Sequence, residues 1–104
     1  MDIKNYVEEI LSIPMTRIGF KYVVEAIELV LDTQDYKFYL HLAKIHNTTT
    51  RAIEKAMRVV KDMSLTYIDD SYRLSIFGAE DPSVTEYVIK ATEYYRRNYE
   101  EKES

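Results

Sequence analysis

Arg51, Lys55 and Arg58 recur at three- and four-residue spacing, with Lys44 before them, Lys61 after them and Glu54 the one acid among them. On a helix of 3.6 residues per turn, Arg51, Lys55, Arg58 and Asp62 lie along one exposed strip with Glu54 beside it. Ile53, Met57 and Val60 then face the other way. A row of guanidinium and ammonium groups neutralises phosphates and donates to base edges. From Lys44 to Lys61 the charge is +4, although the 104-residue chain carries −4 overall, which leaves −8 elsewhere. Solvated charges on an ordinary surface helix, steadied by Glu–Lys pairs, account for the same pattern.

Such a strip needs an element to hold it. Phe38, Leu42, Ala43 and Ile45 form a short apolar stripe ahead of it, and HNTTT separates the two. A helix-turn-helix requires a small residue where its helices approach, a turn residue tolerant of left-handed backbone, and apolar contacts that lock the second helix. Ala43, Asn47, and Ile53 with Ala56 match those needs in order. Asn visits the left-handed region more readily than most residues other than glycine. Thr48, Thr49 and Thr50 sit where hydroxyls cap the second helix, whose free amides can hold a DNA phosphate. Capping alone also explains them. The spacing predicts a scaffold helix over about 36–46 and a recognition helix over about 49–63.

The remaining pattern is helical as well. Two Gly and two Pro, abundant Glu, Lys, Ala, Leu, Ile and Val, and ten Tyr for bulk predict an all-α domain. Ile3, Tyr6, Val7, Ile10 and Leu11 mark a first helix over about Ile3 to Ser12, stopped by Pro14. After Gly19, the set Phe20, Val23, Ile27, Val30 and Leu31 marks a central helix, with Glu25, Glu28 and Asp32 turned outward. Beyond Ser64 the stretch TYIDDSYRL reads as irregular, and SIFG as a short helix closed by Gly78. Pro82 and Ser83 open a final helix whose inner face is Val84, Val88, Ala91 and Tyr95, and the charged tail EEKES is expected to fray. With no repeat and no linker, residues 1–104 read as one domain.

Other chemistry finds little support. The absence of cysteine excludes disulfides, thiolate zinc sites and a cysteine nucleophile. His41 and His46 stand five apart, which does not place both on one helical face, so no metal site is expected. Asp69, Asp70 and Asp81 suit turns and caps, and Ser12, Ser64, Ser71, Ser75 and Ser83 have no discernible base partner. No catalytic residue, no cofactor and no enzyme activity are expected. No apolar run reaches the roughly 18–20 residues that span a bilayer, and MDIKNYVEEI is too polar for a signal peptide, so a soluble cytoplasmic protein is expected. Tyr87, Tyr94, Tyr95 and Tyr99 exceed what one buried stripe requires and offer a candidate dimer or partner surface, unless they complete the core.

The chain resembles the C-terminal DNA-binding effector-domain family of stage-zero sporulation protein A, the response regulator that starts endospore formation in Firmicutes. Asn47-Thr48-Thr49 followed by Ile53-Glu54-Lys55-Ala56-Met57-Arg58 is similar to the family's Asn-Thr-Thr and Val-Glu-Arg-Ala-Ile-Arg. Tyr39, Ala43 and Lys44 match the helix before it. Further matches are Pro14, Gly19, Phe20, Tyr22, Glu25, Ala26 and Ile27, then Ser75-Ile76-Phe77-Gly78, then Pro82 with Glu86-Tyr87. The resemblance implies a bundle of about six helices without a wing, whose second helix-turn-helix helix enters the major groove of double-stranded DNA. It also implies tandem copies on repeated sites near promoters.

Two departures accompany it. Family members carry a receiver domain upstream, whereas this chain begins at Met1 directly before helix one, so control by a receiver phosphoaspartate is expected to be absent. In the reading helix, Arg51 and Ala52 stand where the family has Ser and a base-contacting Arg, Lys55 replaces an Arg, and Val59 replaces a His. Ala52 cannot make a bidentate contact to guanine, and lysine lacks the planar fork of arginine.

The expected function is a DNA-binding transcription regulator with Arg51, Glu54, Lys55 and Arg58 at the groove. Lys44, Thr48, Thr49, Thr50 and Lys61 complete the expected contact set. The alternative is a receiver-less module that pairs with a full-length regulator and alters its promoter occupancy. Free or paired guanidinium and ammonium groups along the strip discriminate between the two.

Overall fold

The computed structural model describes residues 1–34 and 36–100. Among these residues every regular element is a helix. α1 begins as Ile3–Asn5 and continues as a π-helical segment, Tyr6–Ile10. It is followed by α2 (Ile18–Thr33), α3 (Phe38–Ile45), α4 (Thr50–Tyr67), α5 (Asp70–Phe77) and α6 (Val84–Asn98).

The first helix is shorter than its apolar pattern predicts. The wider π turn, with Leu11 N–H donating to the Tyr6 carbonyl, lets Tyr6, Val7, Ile10 and Leu11 all point inward. Ser12 then takes a left-handed conformation at φ 60°, so the chain turns before Pro14 is reached.

α2 packs on α3, α4 and α6 and occupies the middle of the bundle. Its inward residues Phe20, Val23, Ile27 and Val30 are buried as their spacing predicts. Gly19 is what brings α4 close. A Cβ on Gly19 would lie 2.5 Å from the Ala56 carbonyl oxygen and 2.7 Å from a Val60 methyl, so the backbones of α2 and α4 meet with no side chain between them. α4 offers its own small residue, Ala56, at the same crossing.

The stretch expected to be irregular after Ser64 is helical. α4 runs to Tyr67, four residues past the predicted end, because Leu65 and Ile68 are drawn into the core. Asp69 accepts from the Ser71 amide at 2.9 Å and starts α5, while Arg73 donates to the Leu65 carbonyl at 2.7 Å and satisfies the end of α4. Packing and capping thus supply what local propensity lacks. Gly78 ends α5 at φ 75° and ψ −159°, a region open essentially to glycine alone.

α6 starts as predicted: the Ser83 hydroxyl accepts from the Glu86 amide at 3.2 Å and bonds to the Glu86 carboxylate at 3.1 Å, a reciprocal cap. Inside, the Tyr87 hydroxyl donates to Ser64 Oγ at 2.5 Å and the Tyr6 hydroxyl to the Ala91 carbonyl at 2.8 Å. These bonds let two whole phenols sit in an otherwise apolar core.

Substituting Gly19→Ala should drive α2 and α4 apart and cost about 3 kcal/mol, at the upper end of ordinary overpacking. Urea unfolding would register it as a lower midpoint with an unchanged slope.

Candidate nucleic-acid interface

The cationic strip is carried by α4 and seated by α3. α3 buries Phe38, Leu42 and Ala43, while α4 buries Ile53, Met57, Val60, Ser64 and Leu65, so the two helices share one apolar seam. Between them the chain reverses in four residues. The His46 amide donates to the Leu42 carbonyl at 3.0 Å, Asn47 takes φ 51° as its type predicts, and the Thr48 amide donates to the Ala43 carbonyl at 2.9 Å. Thr49 is the cap of α4, its hydroxyl accepting from the Ala52 amide at 3.1 Å.

The turn is also tied to α2. His46 Nε2 donates to Glu25 Oε2 at 2.6 Å, and the edge of its ring meets Tyr22 with centroids 5.0 Å apart. Glu25 is therefore half-buried rather than turned outward. Its polarity predicts an exposed position, and only the approach of the turn gives the carboxylate a partner that permits burial. The same contact occupies His46. Among the described residues no group of three or more histidines and carboxylates is placed to hold a metal ion.

Arg51, Lys55 and Arg58 are exposed on the outer face of α4. Lys44, Thr48, Asn47 and Thr50 line a shallow depression between the end of α3 and the start of α4. Arg58 pairs with Glu54 one turn earlier, yet its side chain remains 57 % exposed. The Glu54 hydrogen bond raises the guanidinium pKa above its ordinary value, so Arg58 stays cationic. Behind this pair, burial pushes the Tyr39 phenol up while a hydrogen bond with Thr85 of α6 pulls it down.

Lys61 does not join the strip. Its side chain is 12 % exposed and its ammonium donates to the Pro82 carbonyl at 3.0 Å, with Asp62 at 3.5 Å. It lies on the flank of α4 that meets the start of α6, where an unpaired carbonyl needs a donor. Ala52 and Val59 do face outward, with Val59 48 % exposed.

The tyrosines divide. Tyr87 is fully buried, stacked on Phe77 with centroids 4.7 Å apart, and burial pushes its phenol well above the ordinary range. Tyr95 is buried too, with its hydroxyl donating to the Met1 carbonyl at 2.8 Å. These two are core side chains, not a partner surface, because α4 and α5 enclose Tyr87 while the N-terminal segment, through Met1 and Tyr6, covers Tyr95. Tyr94 and Tyr99 are half-buried around Tyr6, with centroids 6.5 and 5.6 Å from its ring.

A family model described as "Sporulation initiation factor Spo0A C terminal" matches residues 3–81, which spans α1 to the turn before α6. No curated protein matches the chain.

Replacing Glu25 with Ala should loosen the turn by about 1 kcal/mol, since His46 loses its acceptor but regains some water. The Thr48 amide would then exchange with solvent about fivefold faster under native conditions, while core amides of α2 change little.

Proposed function

We propose that this chain, which belongs to the sporulation initiation factor Spo0A C-terminal family, is a DNA-binding transcription regulator that lays α4 in the major groove. The family is one of regulatory effector domains rather than enzymes. The observation that carries the reading is the row of exposed Arg51, Lys55 and Arg58 on a helix whose opposite face is locked in the core.

In this reading α3 is the scaffold helix and α4 the recognition helix of a helix-turn-helix. Arg51, Lys55 and Arg58 approach bases and phosphates, and Lys44 with Thr48 and Thr50 meets the backbone of the adjoining strand. Thr49 contributes its cap rather than a free hydroxyl. Glu54 orients Arg58. Lys61 serves the fold, so four cations remain for phosphates.

The alternative, a module acting through a full-length regulator, would be favoured by cations locked into buried acidic pairs. The Arg58–Glu54 pair is a surface pair, and such pairs contribute little to stability, so DNA can compete for the guanidinium. Burial of Tyr87 and Tyr95 also removes half of the tyrosine surface that this alternative would use. Tandem binding of two copies on DNA is compatible with the first reading. Among the described residues no helix is long and apolar enough to cross a membrane, and we place the protein in the cytoplasm with its DNA.

Titration of DNA fragments selected by the purified protein tests the reading. Four neutralised phosphates give a log–log salt slope of about −3.6. Arg58→Ala should weaken binding and reduce that slope by about 0.9, whereas Lys61→Ala should lower the unfolding midpoint and leave the slope alone. A slope near zero for the unaltered protein would overturn the contact set.

A further inference from the structure

We infer that α4 recognises A·T base pairs through the C5-methyl groups of thymine, and that Val59 and Ala52 are the side chains that touch them. This rests on the reading of α4 as the groove helix and names what that helix selects.

The inference follows from which readers α4 has and which it lacks. Adenine is read bidentately by Asn or Gln, and no Asn or Gln occurs between Thr50 and Tyr67. Guanine is read bidentately by Arg, a role open to the exposed Arg51 and, once DNA competes for its guanidinium, to Arg58, whereas Ala52 and Val59 carry no hydrogen-bonding group and can read neither guanine nor cytosine. Thymine differs from the other bases in the major groove by its methyl group, whose natural contact is an apolar side chain.

The outward face of α4 carries two such side chains. Val59 leaves 48 % of its surface in water although it sits mid-helix, and Ala52 is exposed in the first turn of α4, the part of a recognition helix that meets base edges. Seven residues separate them, two turns apart and therefore on one line. At 1.5 Å per residue the two methyl-bearing groups lie about 10 Å apart along the axis, roughly three base-pair steps of B-DNA.

Their neighbours favour DNA over an apolar protein partner. Along the axis Lys55 falls between Ala52 and Val59, and Arg51 and Arg58 follow on the same side of that line, so the methyl groups border the cationic strip as two separate side chains rather than as a contiguous apolar patch. The neighbouring cations hold phosphates beside that line, and each methyl contact then removes apolar surface of both partners from water.

The test changes the DNA before it changes the protein. A duplex enriched from a random-sequence pool serves as the probe, and each thymine in it is replaced in turn by uracil, which deletes only the methyl group. We expect two positions, about three base pairs apart, at which uracil weakens binding about fourfold, the worth of one buried methyl. Val59→Ala, a substitution at an exposed helical position, should abolish the penalty at one of them, and Ala52→Ser should reduce it at the other. Unchanged affinity at every uracil position, or penalties that persist in both variants, would overturn the inference while DNA binding stands. A protein that binds every duplex alike would overturn it in the same way. Failure to bind any duplex at low salt would overturn the groove reading and this inference with it, and a protein ligand for the exposed methyl groups would then be indicated.

Discussion

The closeness of α2 and α4 at Gly19 is the constraint on which the rest of the molecule depends. With no Cβ on Gly19, the α4 backbone at Ala56 rests against the α2 backbone, and Val60 fills the adjoining space. That contact fixes the depth at which α4 sits. Ile53, Met57 and Val60 are thereby fully enclosed, and the opposite face of the same helix is lifted clear of the bundle with its cations in water. A larger residue at the crossing would shift the buried and exposed faces together.

A second link sets the direction in which α4 leaves the turn. Asn47 in its left-handed conformation reverses the chain, the Thr49 hydroxyl starts the helix, and the Glu25–His46 bond ties the reversal to α2. One central helix thus positions α4 twice, at its start through a polar contact and along its length through a backbone contact. The polar contact has a directional geometry and the backbone contact a steric one, so together they restrict rotation as well as distance.

Charge is arranged with the same economy. The chain is acidic overall, yet residues 44–61 carry five cations against one acid, and three of those cations, Arg51, Lys55 and Arg58, share the exposed face of α4. Such a distribution draws a polyanion to that face and repels it elsewhere, which limits binding in wrong orientations. Lys61, which the sequence places at the end of the cationic run and among the expected DNA contacts, instead joins α4 to the start of α6. Its position shows how a helix of 3.6 residues per turn moves successive members of a nominal stripe onto different neighbours.

The sequence by itself determined the all-helical class, the left-handed turn at Asn47, the Ser83 cap of α6 and the apolar faces of α2, α4 and α6. Each of these follows from short-range chemistry: helical period, a residue type suited to a backbone region, or a hydroxyl at a helix start. What it left undetermined lay between elements. The stretch 66–74 reads as irregular because its apolar period is broken, and all of it but Ile68 and Asp69 is helical because Leu65, Ile68, Ile76 and Phe77 find a core. Tyr87 and Tyr95 suit surface or core by sequence alone, and they are buried because Ser64 and Phe77 enclose the first and Met1 and Tyr6 the second. Glu25 read as a solvated charge because its partner stands 21 positions away, and Lys61 as a groove contact because the Pro82 carbonyl is equally distant in the chain. Local chemistry decided which helices form; the tertiary structure decided which of their polar groups are spent on one another and which remain free to meet a ligand, because a side chain's partner is set by distance in space, which the order of residues does not state.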